Sequence, residues 1–102
     1  PRVANFPVEI WIMQKDGRIL YDENEEEIGR NLFTGEFYAD YPSLIKVGRK
    51  MAALPQGKGQ YTFRDKKLEK ETTKNVLWTT VALHGTEFRL ALAYVEPELK
   101  KE

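Results

Sequence analysis

Residues 75–95 read NVLWTTVALHGTEFRLALAYV, and this stretch decides the fold. Its two halves are apolar and rich in β-branched and aromatic residues, which favour strands. His84 and Gly85, between the halves, suit a tight turn. The stretch therefore predicts two long antiparallel strands, at 75–83 and 86–95. Both are apolar at nearly every position and not only at alternate ones, which is typical of a strand covered on both faces.

Three more strands are predicted upstream of this hairpin. The apolar runs 8–13 and 19–21 flank a turn that contains Asp16-Gly17. This dipeptide is a strong hairpin signal because Gly adopts a positive φ at little cost. The third strand, 60–65, alternates between aromatic and polar side chains. Five strands in all are expected, each antiparallel to its neighbours.

The pattern predicts one helix, at residues 41–54. Pro42 suits the first helical position, where its missing N–H has no intrahelical partner to lose. Apolar or small residues then recur at helical spacing and form one face: Leu44, Val47, Gly48, Met51 and Ala52. Strands on either side of a helical insert indicate the α+β class. We predict a five-stranded antiparallel sheet with the main helix and a packed loop on one face.

The connections between these elements are expected to be loops. Residues 22–27 read DENEEE, with five acids in six residues, and are expected to form a solvated loop or an exposed helical turn. Residues 30–41 mix aromatic, polar and glycine residues and are expected to pack on the core. Residues 57–59 are expected to be a flexible turn, and residues 66–74 a charged connection.

The composition fits one globular domain. The chain has 102 residues, 16 basic and 16 acidic side chains, one His and no Cys. Zero net charge argues against binding nucleic acid through its phosphates. Without Cys there are no disulfides, thiolate chemistry or Cys-based zinc sites, and no apolar run is long enough to span a bilayer. We expect one soluble domain over residues 1–102, with its core at about 8–95 and a charged tail at 96–102.

Residue types that carry catalysis are scarce. Ser43 is best explained as a helix-start residue and His84 as a turn residue. The acidic run lacks the Gly and the final Glu of a calcium-binding loop. We therefore expect a domain that is not itself an enzyme and that holds no metal or cofactor, although its full-length parent could be a kinase. Because the chain begins with Pro1, it is expected to be processed or excised from a longer one.

Aromatic and polar side chains instead indicate a pocket for a small molecule, which typically combines apolar walls with a few polar groups. The pocket is predicted between the strands at 60–65 and 75–83 and the segment 37–44. Its candidate residues are two capping tyrosines, two aromatic walls and a Thr–Arg pair for a polar or anionic group: Tyr38, Tyr41, Tyr61, Trp78, Thr80 and Arg64. For each residue taken singly, core packing explains the pattern equally well.

The order of motifs resembles that of Cache sensor domains. It contains KDGRILYD at 15–22, an acidic stretch, Ile28-Gly29 and the short run 31–33. Further along are a glycine pair entering a strand that contains Tyr61, then WTT at 78–80 and the final apolar hairpin. The resemblance covers about residues 8–95. The long helix on the back of a Cache sheet has no counterpart in residues 1–102.

Cache domains are PAS-like extracytoplasmic parts of membrane-anchored histidine kinases and chemoreceptors. They bind small molecules, often amino acids or organic acids, between the sheet and the loop-plus-helix side. The resemblance implies a sensor domain that signals by a ligand-induced conformational change, with no nucleic acid as partner. The alternative is a PAS-like interaction module that binds no ligand and forms a homodimer through its apolar sheet face.

Overall fold

The computed structural model describes residues 8–65 and 70–95. These form five strands and one α-helix: β1 (Val8–Gln14), β2 (Ile19–Asp22), α1 (Pro42–Ala53), β3 (Gly57–Asp65), β4 (Lys70–Leu83) and β5 (Thr86–Tyr94). Two short 3₁₀ turns, Glu25–Glu27 and Glu36–Tyr38, lie between β2 and α1. The predicted α+β architecture is confirmed. In the described part of the chain, no helix has the length and apolar character needed to cross a bilayer.

The strands form one antiparallel sheet in the order β2-β1-β5-β4-β3. The first hairpin therefore lies beside the last one, through the pairing of β1 with β5. The register aligns Trp11 with Ala91, Ala91 with Trp78, and Trp78 with Gly57. Directly opposed residues share a face, so these four positions form one row on the inner face, the face that packs against α1.

Glycines at two sites permit this arrangement. Gly17 has a φ of 97° in the β1–β2 turn. A Cβ there would lie 2.6 Å from the Phe33 ring, so the close packing of this ring also requires glycine. Gly57 lies in the same row as Trp78, and a Cβ on Gly57 would lie 2.5 Å from the indole. The inner face can therefore accommodate the Trp78 indole only because the residue opposite it on β3 is a glycine.

The core fills the space between the sheet and α1. The inner face contributes buried residues from β1, β3, β4 and β5, and the helix contributes its predicted apolar face: Trp11, Met13, Tyr61, Val76, Trp78, Ala91, Ala93, Leu44, Val47 and Met51. Ser43, in the first turn of α1, accepts a hydrogen bond from the Thr62 backbone N–H at 2.9 Å. This bond fixes the start of the helix against β3.

The outer face of the sheet is also apolar. It bears large side chains whose exposed fractions run from 38% for Leu92 to 58% for Leu83. The prediction that the last two strands are apolar on both faces is thus confirmed, and what covers the outer face stays a prediction.

Two loop predictions were wrong. Residues 57–59 are the first residues of β3 and pair with β4. Gly57 is required there because a Cβ would clash with the Trp78 ring. Residues 70–74 are part of β4 and pair with residues 61–65, so the charged connection is shorter than expected. Residues 66–69 and the predicted tail at 96–102 lie outside the described residues.

Candidate ligand-binding site

A cavity of about 590 Å³ lies between the inner face of the sheet and the segment 22–44. Its volume falls within the range of small-molecule pockets, about 300–1,000 Å³. One wall consists of side chains from the strands. The other consists of the acidic segment 22–27, the residues before α1 and the first turn of α1. The lining residues are Glu9, Trp11, Ile19, Asp22, Glu23, Asn24, Glu25, Glu26, Glu27, Leu32, Tyr38, Leu44, Tyr61, Phe63, Arg64 and Lys74.

The acidic segment 22–27 is organised by its own side chains. The Asp22 carboxylate accepts a hydrogen bond from the Asn24 backbone N–H at 2.8 Å. The Asn24 side-chain oxygen then accepts one from the Glu26 backbone N–H at 3.2 Å and caps the turn Glu25–Glu27. This geometry directs Glu27 toward the core, where it is only 7% exposed.

The expectation that the whole acidic segment is solvated was therefore wrong at Glu27. Its carboxylate accepts hydrogen bonds from the Tyr38 hydroxyl at 2.9 Å and from the Asn24 side-chain amide at 3.3 Å. Tyr38 comes from the second 3₁₀ turn, eleven residues further along the chain. A partner that distant does not show in a local pattern of charges.

Burial shifts the ionisation of this cluster. It raises the pKa of Glu27 to about 7, and the neighbouring Asp22 charge adds to the effect. Burial likewise raises the pKa of Asp22 to about 6. It also raises the pKa of the Tyr38 and Tyr61 hydroxyls, so both stay protonated. The corner of the cavity at Glu27 and Asp22 therefore changes charge close to neutral pH.

A partly buried ion pair forms the sheet side of the cavity. The Lys74 Nζ atom lies 2.6 Å from Glu9 Oε1, and the two side chains are 6% and 31% exposed. Six of the lining residues are acidic and two, Arg64 and Lys74, are basic. The cavity thus carries an excess of negative charge. Within the described residues, no group of three or more His, Asp or Glu side chains is arranged to hold a metal ion.

Three of the six predicted site residues line this cavity. Tyr38 lies on the loop wall, with its hydroxyl bonded to Glu27. Tyr61 lies on the sheet wall, edge-on to Trp11 with ring centroids 6.3 Å apart. Arg64, which is exposed, also borders the cavity.

The other three predicted residues lie outside the cavity lining. Tyr41 packs edge-on against Phe63, with ring centroids 4.8 Å apart. Trp78 and Thr80 lie beneath the C-terminal end of α1, further along β4 than Lys74. The structure therefore does not bring the six residues together into one pocket, and their roles toward a ligand stay a prediction.

Trp78 and Thr80 instead hold the end of the helix. The Trp78 indole N–H donates to the Leu54 carbonyl at 3.0 Å. The Thr80 hydroxyl donates to the Pro55 carbonyl at 2.6 Å and accepts a hydrogen bond from Arg89 at 2.9 Å.

Sequence reasoning missed most of the residues that line the cavity, including one tryptophan, two acids and one lysine. Trp11, Asp22, Glu27 and Lys74 line the cavity but were not among the candidates. Lys74 could have been found from the sequence, because it lies two residues before Val76 and therefore on the same face of β4. Trp11 likewise lies on the inner alternation of β1. The two acids gave no such signal, because their burial depends on contacts with Tyr38 and the sheet.

No model of a protein family and no curated protein matches the chain. Among solved structures, the chain is similar to an extracellular ligand binding receptor from Desulfohalobium retbaense DSM5692, with 42% sequence identity and a TM-score of 0.58. The match covers 91% of this chain and 13% of that chain. The chain thus corresponds to a small part of the receptor.

Two PAS domains share the fold at low identity. One belongs to an HTR-like protein from Haloarcula marismortui, with 14% identity and a TM-score of 0.62, and the match covers 87% of this chain and 81% of that one. The other is from a Desulfitobacterium hafniense protein, with 14% identity, a TM-score of 0.64 and coverages of 94% and 100%. The two PAS domains show that the chain has a PAS-like fold, and together with the receptor match they support the predicted resemblance to Cache/PAS-like sensor domains.

Proposed function

We propose that this domain senses a small molecule, which binds in the 590 Å³ cavity. The observation that carries the proposal is the position of the cavity, which lies between the inner face of the sheet and the segment 22–44. The similar Desulfohalobium receptor is described as extracellular and ligand binding. We accordingly propose an extracytoplasmic location within a membrane-anchored receptor, of the histidine kinase or chemoreceptor kind.

The two walls of the cavity provide a mechanism for signalling. A ligand that bonds to the acidic segment and to the sheet at once favours the state in which they are close, by its differential affinity for that state. The acidic segment continues directly from β2, and β2 pairs with β1 next to β5. A displacement of the first hairpin therefore reaches the last strand and the residues that follow it. No covalent bond need form or break.

A second candidate function is favoured by the apolar outer face of the sheet. Leu77, Leu83 and Leu92 expose between 38% and 58% of their surface. Contiguous exposed apolar surface commonly marks an interaction site. A PAS-like module that dimerises through this face and binds no ligand would account for this feature.

A thermal-shift screen of amino acids, amines, carboxylates and other small metabolites separates the two functions. A ligand present at 100 times its Kd should stabilise the folded state by about 2.7 kcal/mol. Tyr61→Ala opens the cavity wall and should reduce this increment. Trp78→Phe changes a residue outside the lining and serves as the control.

Equal affinity of a validated ligand for the folded Tyr61→Ala variant and the parent would contradict this location of the site. A screen without a hit would favour the interaction module.

A further inference from the structure

We propose that the ligand of this cavity is a small primary amine without a carboxylate, whose ammonium group is received by Glu27 and Asp22. The inference rests on the proposed function and deepens it by naming the ligand class.

The first argument concerns the groups that form hydrogen bonds with the two carboxylates. Glu27 is bonded to the Tyr38 hydroxyl and the Asn24 amide, and Asp22 to the Asn24 backbone N–H. All three donors are neutral. Within the described residues, neither carboxylate forms an ion pair. A buried carboxylate without a cationic partner is costly, and an ammonium group supplies both the charge and three donors.

The second argument is the charge around this corner. Glu9 from β1 and Glu23 from the acidic segment add negative charge, and Lys74 from β4 is bonded to Glu9 at 2.6 Å. Arg64 from β3 lies at the exposed rim. The acidic residues of the lining outnumber the basic ones by six to two. This field favours a ligand with net positive charge and opposes an organic acid.

The third argument is a donor that the protein leaves unsatisfied. Trp11 lines the cavity and is 5% exposed. Its indole N–H lies near the Tyr61 hydroxyl but forms no hydrogen bond of good geometry among the described residues. A buried donor without a partner is uncommon, and a ligand that carries a neutral acceptor would provide one. The cavity is therefore suited to an amine with an amide or hydroxyl group, in addition to simple amines.

Calorimetry with matched probes tests the inference. One set is L-leucinamide, 3-methylbutylamine, L-leucine and 4-methylpentanoate, and the other is the corresponding phenylalanine series. The members of a set share a side chain and differ in their charged groups. The amide and the simple amine should bind at least about tenfold more tightly than the zwitterionic amino acid, and the carboxylate should bind least.

The variants Glu27→Gln and Asp22→Asn should each weaken binding of the two simple amines by about 10- to 100-fold. Glu36→Gln alters an exposed acid in the other 3₁₀ turn and should have no effect. Alkylammonium groups stay protonated near neutral pH. Affinity in the parent should therefore rise with pH through about 7, as Glu27 ionises. In Glu27→Gln only the smaller rise near pH 6 that Asp22 contributes should remain.

Tighter binding of the amino acids or carboxylates would overturn the inference. Unchanged amine affinity in both folded variants would overturn it too. If neither set binds while other metabolites stabilise the protein, the inference is wrong and the proposed function stands. If no compound binds at all, both are wrong.

Discussion

At the scale of single residues, Glu27 makes stability depend on pH. The pKa of its carboxyl rises from 4.5 to about 7 on folding, so the folded state holds a proton that the unfolded state releases. The free energy of unfolding therefore falls as the pH rises between these two values. Glu27→Gln keeps an acceptor for Tyr38 but cannot ionise. We expect it to increase the free energy of unfolding by roughly 2 kcal/mol at about pH 8, with little effect near pH 5.

Urea unfolding across this pH range measures the effect. In Glu27→Gln, the free energy of unfolding should still fall with pH but less steeply than in the parent, because the pKa of Asp22 is also raised, to about 6. Glu36→Gln, at an exposed site in the other 3₁₀ turn, is the matched control and should follow the parent. A Glu27→Gln variant with the same dependence on pH as the parent would show that Glu27 ionises normally in the folded state.

The same residues show how far the site could be predicted from the sequence. Tyr38 and Tyr61 were among the candidates because aromatic residues with a polar end are common in pockets, and both line the cavity. Glu27 could not be found in this way. A run of acids indicates solvent exposure, and only the fold brings the hydroxyl of Tyr38 to its carboxylate.

At the scale of elements, a buried arginine connects the sheet to the end of α1. Arg89 on β5 is 3% exposed. Its guanidinium donates to the Met51 carbonyl at 2.6 Å and to the Thr80 hydroxyl at 2.9 Å. Positive charge at a helix C-terminus is favourable because the last carbonyls lack intrahelical partners. Thr80 in turn bonds to the carbonyl of Pro55, just beyond the helix.

Thr80→Val tests this connection. The substitution preserves the shape of the side chain but removes the donor to the Pro55 carbonyl and one acceptor of the buried Arg89 guanidinium. We expect the free energy of unfolding to fall by about 1–3 kcal/mol. Thr79→Val, at the exposed neighbouring position on the outer face, should change it by less than about 0.5 kcal/mol. Equal effects of the two variants in denaturant unfolding would contradict the assigned role of Thr80.

The elements themselves were largely predictable, and the exceptions have physical causes. The helix was signalled by Pro42 and its apolar period, and the final hairpin by its apolar halves. The start of β3 was missed because glycines usually indicate a turn, whereas Gly57 is needed here beside the Trp78 ring. The start of β4 was missed because charged residues usually indicate a loop. In the structure these residues pair with β3, as far back as Lys70.

At the scale of the whole molecule, the sheet has one covered and one exposed apolar face. Ile10, Leu92 and Leu77 lie opposite one another across three adjacent strands, and each is more than a third exposed. α1 packs on the inner face only. Such a continuous apolar row in water favours association, because burying it removes roughly 25 cal/mol per Å² of unfavourable hydration.

We therefore predict that the isolated chain self-associates through this face. Light scattering or sedimentation should show dimers that form as concentration rises. Leu92→Glu places a charge in the centre of the row and should keep the chain monomeric, because an unpaired charge is costly to bury. Leu54→Glu is the control, since Leu54 is similarly exposed, at 44%, but lies at the end of α1. A parent chain that stays monomeric at high concentration, or a Leu92→Glu variant that associates as strongly as the parent, would show that a second copy does not cover this face.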